Sequence, residues 1–248
     1  RLAINPGMRR LGRWLLLVLV AGLALQLFFI GRIALMSVVD PQSTAFQRSE
    51  AWRIANTGAL RWRQDWRDYD QISDHLKRAV IAAEDDSFAS HEGVDWDAIE
   101  RAWERNAQAE EAAAQRAAQN KPARPLRIRG GSTITQQLAK NLLLSGERTL
   151  LRKGQELVLT YALEHMLTKR RILEIYLNSV EWGEGVFGAE AAAQHYFRKS
   201  AAQLTAWEAA RLAVMLPRPR HFEQQPKSRY LASRTNTIVV RMRSAELP

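Results

Sequence analysis

Three carboxylates stand side by side at Glu84-Asp85-Asp86, with Phe88, His91 and Gly93 close behind. Leu76, Val80 and Ala83 precede them at i, i+4 and i+7. That spacing predicts a helix from about Ser73 that ends at the acids. A negative charge at a helix C-terminus opposes the macrodipole, and neighbouring acids repel one another. Both effects disfavour ionisation, the condition expected of a general acid or base tuned toward neutrality. A solvated acidic turn is the competing reading of the same residues.

A second stretch, Gly130-Gly131-Ser132-Thr133-Ile134-Thr135-Gln136-Gln137, joins two glycines to a capping-box spacing at Thr133 and Gln136. Its chemistry is anion capture, because glycines admit a close ligand and a helix N-terminus offers free N–H groups. On the predicted helix Ile134, Leu138 and Leu142 form the inner face, while Thr133, Gln137, Lys140 and Asn141 line the other side. A capped helix with a polar outer face is the rival reading. Farther on, Arg148, Arg152 and Glu156 fall at i, i+4 and i+8, with Lys153 beside them. On one helix this brings a carboxylate within reach of two cations, keeps Glu156 ionised and leaves Arg148 and Lys153 for phosphate. Ordinary surface helix pairs have the same spacing and contribute only ~0.3–0.5 kcal/mol each.

Two patterns are decoys. Gly183-Glu184-Gly185-Val186-Phe187-Gly188 matches G-x-G-x-x-G, but the segment before it reads as helix and no βαβ unit surrounds it. Asp95-Trp96-Asp97 imitates the acidic pair of nucleotide-sugar transferases without the α/β sheet such a pair needs. No H-E-x-x-H, G-x-S-x-G or Ser-x-x-Lys occurs.

The elements that must position these groups are mainly helical. Helices are expected near Thr133, from about Arg148 to Leu177, at Ala189–Phe197 and at Ala206–Leu216, the last stopped by Pro217 and Pro219. In the long run Leu159, Leu163 and Met166 share a stripe, and Lys169-Arg170-Arg171 interrupts it near a helix end. Residues 106–120, rich in Ala, Gln and Glu, read as an exposed helix or insertion, and Lys121–Arg129 as a basic loop. No run of alternating strand residues is evident.

Ahead of all this, Trp14–Gly31 carries no charge and is apolar all round, with Gln26 its strongly polar member. That length suits a bilayer span. Arg9, Arg10 and Arg13 precede it, which puts the N-terminus in the cytoplasm and the rest outside. A cleaved signal peptide and a buried core helix are the rival readings, but the first lacks a good small-x-small site and the second would not be apolar all round. The expected plan is a basic segment at 1–13, an anchor at 14–39, a Trp- and Arg-rich membrane-proximal linker at 40–71, and a catalytic domain at 72–248. A surface helix with ordinary core tryptophans is an equal reading of the linker.

The whole chain has 248 residues, no cysteine and a net charge of +10. Zero cysteine excludes a disulfide scaffold, a Cys-ligated zinc and a Cys nucleophile. Residues 1–40 carry five arginines and one acid, so +6 of the total belongs to residues 41–248. An excess this large implies a polyanionic partner. Outside the inner membrane nucleic acid is not expected, which leaves membrane lipids and lipid-linked phosphates.

In order along the chain these stretches resemble the four motifs of the biosynthetic peptidoglycan transglycosylases, the family 51 glycosyltransferases also found as the first domain of class A penicillin-binding proteins. The motif E-D-x-x-F-x-x-H-x-G stands as Glu84 to Gly93, the second as Gly131 to Asn141, R-K-x-x-E as Arg152 to Glu156, and the fourth as Lys169 to Asn178. The resemblance implies a lysozyme-like helical domain with a smaller mobile lobe, preceded by one transmembrane helix. It also implies polymerisation of lipid II, with the lipid-linked glycan chain as donor and undecaprenyl pyrophosphate as leaving group. Glu84 matches the family's catalytic base and Glu156 its second essential glutamate. Ser132, Gln137, Lys140, Arg148 and Lys153 match the donor-phosphate pocket, with Asn141 and Arg152 beside them.

A divalent metal, Mg2+ or Mn2+, often assists such enzymes, and Asp85 is the candidate ligand. Other cell-wall synthases or division proteins are expected partners. Without Ser-x-x-Lys no penicillin-binding transpeptidase domain is expected. Two departures stand out: a long Ala/Gln-rich segment at 105–129, and Leu216-Pro217-Arg218-Pro219 where the family often has Leu-Pro-Asn-Pro. The alternatives are a lytic transglycosylase or muramidase, which would need no cationic pyrophosphate pocket, and a non-catalytic membrane-anchored scaffold, which would not need Glu84 and Glu156 together.

Overall fold

Helix α1 (Pro6–Leu35) opens the computed structural model, which describes residues 6–58, 62–119, 130–144 and 149–248. By length and composition α1 can cross a membrane. Leu15, Leu19, Leu23 and Leu27 are all exposed, as a lipid-facing helix requires. Its last turns behave differently. Phe29 and Ile33 are buried, as is Met36 just beyond the helix, and all three join the core of the rest of the molecule. The far end of the anchor expected at 14–39 is therefore in part a domain contact.

Helix α2 (Ala45–Thr57) follows, capped by a Thr44/Gln47 box, and then β1 (Arg63–Gln64). These correct the expectation of a linker at 40–71. Gln47 donates to the carbonyl of Ser179 at 3.3 Å, Trp62 stacks on Phe187 at 4.4 Å, and Trp66 packs against the core. Among the three tryptophans read as interfacial, Trp52 is the exposed one. The segment is built into the domain because its aromatic residues find apolar partners there, which removes more surface from water than a headgroup layer would.

Helix α3 (Asp74–Glu84) starts at Ser73, which caps the His75 N–H, and ends at the acids as expected. Its buried residues Leu76, Ala79 and Val80 continue as one face. Helix α4 (Trp96–Ala118) is long and exposed, with Ala102 its one buried residue. Asp95, half of the decoy acidic pair, is simply its N-cap. The basic loop expected at Lys121–Arg129 lies outside the described residues. Helix α5 (Ile134–Leu143) begins at Thr133 in a capping box with Gln136.

The long helical run is two helices, α6 (Leu150–Met166) and α7 (Lys169–Ser179), broken at Leu167-Thr168. Thr168 caps α7, so the Lys169-Arg170-Arg171 triplet opens a helix. Met166 departs from the expected stripe and is partly exposed at the end of α6. The structure also holds a small sheet that no alternation announced. In it β3 (Val186–Phe187) lies between β1, parallel, and β2 (Glu181–Gly183), antiparallel. Strands of two or three residues are too short to show a period of two. The G-x-G-x-x-G segment is this hairpin, with Gly185 at φ 71° in its turn, and no dinucleotide loop forms.

Helix α8 (Ala189–Phe197), α9 (Ala206–Met215), α10 (Pro219–Gln224) and α11 (Arg229–Arg241) complete the fold. Helix α9 packs between α3 and α11, so the C-terminal helix reaches the end of α3 where the acids sit.

Candidate active site

The three adjacent acids have three different fates. Asp86 is exposed and pairs with Arg241 of α11 at 3.2 Å. Asp85 is buried and caps the start of α5, accepting from the Ile134 N–H at 2.9 Å. It also holds His91 Nε2 at 2.9 and 3.0 Å. His91 Nδ1 accepts the Gly93 N–H at 3.0 Å, so the ring hydrogen sits on Nε2 and points at Asp85. Gly93 has φ 89°, and a Cβ there would lie 2.8 Å from side-chain atoms of Glu164 and Thr160, so a glycine is required. Asp85, His91 and Gly93 thus fasten the end of α3 to the start of α5.

Glu84 is the half-buried carboxylate of the three. Its Oε2 accepts from Gln137 Nε2 at 3.0 Å. Gln137 Oε1 in turn accepts the Tyr176 hydroxyl at 2.9 Å, which orients the amide with its nitrogen toward Glu84. Burial pushes Glu84 above the usual glutamate range. The Gln137 hydrogen bond opposes that rise, Asp85 adds to it, and the charges of Arg234 and Lys140 draw it down. Tyr176 is pushed well above its usual value by burial, and then by the Glu84 and Asp85 charges, so it stays a donor.

A cleft of about 1510 Å³ opens on Glu84. Ser132 lies on its wall, carried by the Gly130-Gly131 approach to α4. Arg101 and Arg105 of α4 line it together with Arg218, Arg234 and Arg241. These arginines escaped the sequence reading because they come from three distant helices and form no local pattern. Arg218 alone gave a signal, as the departure from Leu-Pro-Asn-Pro, and it stands at the N-cap of the short helix α10.

The second expected group assembles around Glu156. It lies on the buried face of α6 with Leu159, Thr160 and Leu163. Arg152 Nη1 bonds it at 2.8 Å and Lys153 Nζ at 2.5 Å. Lys153 is therefore not free of Glu156, as the spacing suggested, but shares it with Arg152. Arg152 Nε is buried without a hydrogen-bond partner among the described residues. Helix α6 starts at Leu150, and Arg148 lies outside the described residues. Lys140 is exposed and Asn141 half-buried on α5, which packs directly on α6. The large cleft takes in Glu84 and Ser132, but its walls do not include Lys140, Asn141, Arg152, Lys153 or Glu156.

Asp85 does not behave as a metal ligand, since both its oxygens are engaged by His91 and Ile134. Among the described residues no three His, Asp or Glu side chains group closely enough to hold an ion. The described residues therefore build no all-protein cage for Mg2+ or Mn2+.

A family model described as transglycosylase matches residues 53–243. The chain belongs to the transglycosylase family. A protein of Burkholderia thailandensis named biosynthetic peptidoglycan transglycosylase is 54% identical over 92% of this chain and 84% of its own length. Proteins of the same name from Paraburkholderia phytofirmans and Burkholderia pseudomallei are 50% and 52% identical. Those alignments cover 95% and 97% of this chain, and 94% and 90% of the relatives. The family match begins at Arg53, inside α2, in keeping with the packing of that helix into the domain. Two motif residues beyond the carboxylates also have defined contacts: His91 holds Asp85, and Tyr176 holds the Gln137 amide. Asn178 is buried and clamps the backbone of Arg67 through two hydrogen bonds of 2.8 Å.

Proposed function

We propose that this chain builds peptidoglycan glycan strands by polymerising lipid II at the outer face of the bacterial inner membrane. The observation that carries the proposal is Glu84: a half-buried carboxylate of raised basicity, held by a neutral amide, opening on a cleft walled by five arginines. The acceptor 4-hydroxyl gives its proton to Glu84, and the freed oxygen attacks the anomeric carbon of the lipid-linked chain. The bond from that carbon to the pyrophosphate breaks on the opposite side. An α-linked donor becomes a β-linked product, and undecaprenyl pyrophosphate leaves with the electron pair. It departs as an anion, so fixed cations replace a general acid. In this reading the cations are Lys140 of α5 and the Arg152–Lys153 pair of α6, the last two held in register by Glu156.

Helix α1 is the anchor in this reading, with the arginines before it on the cytoplasmic side. A glycan-cleaving enzyme would share a helical fold and one acidic catalyst, but its neutral leaving sugar has no use for so many cations. The test is to incubate the purified protein with lipid II in detergent or vesicles. The expected product is a polymer that lysozyme digests. Unchanged lipid II, together with cleavage of preformed glycan, would overturn the proposal.

A further inference from the structure

Gln26 has no part in that chemistry, yet it is the strongly polar residue of the uncharged run Trp14–Gly31. Its side chain meets Gln155 of α6 at two points. Gln26 Nε2 donates to Gln155 Oε1 at 2.8 Å, and Gln155 Nε2 donates back to Gln26 Oε1 at 2.9 Å. Gln155 directly precedes Glu156 and lies on the same helix turn as Arg152 and Lys153.

The contact is not at the tip of the anchor. Gln26 stands about 13 Å before the end of α1 at Leu35, at roughly 1.5 Å per residue. Between the two, Phe29 and Ile33 are buried against the domain. Just past the helix end, the Met36 carbonyl accepts Arg171 Nε of α7 at 2.8 Å, and Arg171 also holds Asp40 at 2.7 Å. The anchor is therefore fastened along its outer turns, to α7 at the top and to α6 lower down. The start of α6 lies alongside the apolar run, and its first side chains, Leu150 and Leu151, are 93% and 87% exposed.

Resting on the reading of this chain as a membrane-anchored transferase, we propose that the Gln26–Gln155 pair is a positioning device. It sets the depth of α6, and with it the Arg152–Glu156–Lys153 group, relative to the layer where a lipid-linked pyrophosphate lies. Apolar side chains on α1 meet lipid and protein almost equally well, so they mark no particular height. The Arg171 contacts fix the outer end of α1, but without a polar mark lower down α6 could tilt against the inner turns by as much as one turn, about 5.4 Å. A displacement of that size exceeds the reach of a hydrogen bond to phosphate. A two-point amide pair is directional, and in hydrocarbon Gln26 has few other partners, so the pair selects one register.

The test uses the full chain in vesicles of phosphatidylethanolamine and phosphatidylglycerol, with Gln26→Leu, Gln155→Leu and the double variant. Leucine is at home in a bilayer helix, so insertion persists. Because the chain has no cysteine, L151C labelled with a fluorophore reports depth through quenching by lipids brominated at known positions. Each single variant is expected to shift or broaden the quenching profile, and the double variant to do no more. The kcat/KM for vesicle-embedded lipid II should fall about three- to tenfold through KM. A water-soluble, short-chain donor analogue without vesicles should be used equally well by all four proteins. An unchanged profile with unchanged KM, losses that add in the double variant, or an equal loss with the soluble donor would overturn the proposal. If the unsubstituted protein makes no polymer, the functional reading fails, while the quenching profiles still decide the role of the pair.

Discussion

Glu84 and Glu156 are the same residue type, both drawn in from solvent, and each belongs to a helix tied to α5. Their partners differ in kind. Glu84 has one neutral amide, with its nearest cations acting only at a distance. Glu156 is gripped directly by a guanidinium and an ammonium. The first environment raises the affinity for a proton and leaves the carboxylate free to take one. The second fixes a negative charge that aligns two cations. In the proposed reaction the first site moves a proton and the second organises charge, a division set by neighbours within about 3 Å.

The largest expected effect breaks the first half of that comparison. Glu84→Gln should lower polymerisation by roughly 10²- to 10⁴-fold, with the fold intact by circular dichroism and thermal melting. The same variant tests linkage. A carboxylate raised in the folded state holds a proton that the unfolded chain has already released. Stability must therefore fall as pH rises from the ordinary glutamate value to the raised one. Melting curves of the original protein should show that decline, and those of Glu84→Gln should lack its contribution.

Glu156→Gln attacks the other half and should behave in the opposite way. Activity is expected to drop about ten- to hundredfold, and chemical denaturation should reveal a loss of about 1–3 kcal/mol, since a buried acceptor for two cations is weakened. Equal stability of both Gln variants would sink the contrast between them. Gln137→Leu sharpens it further. Removing the hydrogen bond that draws Glu84 down moves its titration upward, so the acid limb of kcat/KM should shift to higher pH. The smallest effect belongs to Tyr176→Phe, which frees the Gln137 carbonyl. About a two- to fivefold loss of activity is expected, with about 0.5–1.5 kcal/mol of stability.

A shifted carboxylate is not by itself a sign of catalysis. Burial lifts Glu181 to about 7, against the pull of Arg220. Yet Glu181 lies in β2 and shares Arg220 with Glu50 of α2, which stitches two elements together. What separates Glu84 from it is the cleft.

Local chemistry was legible in the sequence. Ser73 and Thr133 mark the starts of α3 and α5 as expected, and α8 has the limits that its pattern suggested. Glu84 at a helix end, Gln137 one turn into α5, and Glu156 within reach of two cations all follow from spacing, because a helix turns spacing directly into proximity. The small sheet was not legible, since Arg63 and Val186 pair across more than a hundred residues of chain. Nor were the arginines of the cleft, which three separate helices contribute.

By itself, then, the sequence determined which residues carry charge, which helices present them and which segment is apolar enough for a membrane. Periodicity and capping are properties of neighbours in the chain. Only the tertiary structure decided which of the three adjacent acids opens on the cleft and that the membrane helix is fastened to α6. Each depends on a partner distant in the chain or on how neighbouring side chains are packed, and only the folded backbone fixes either.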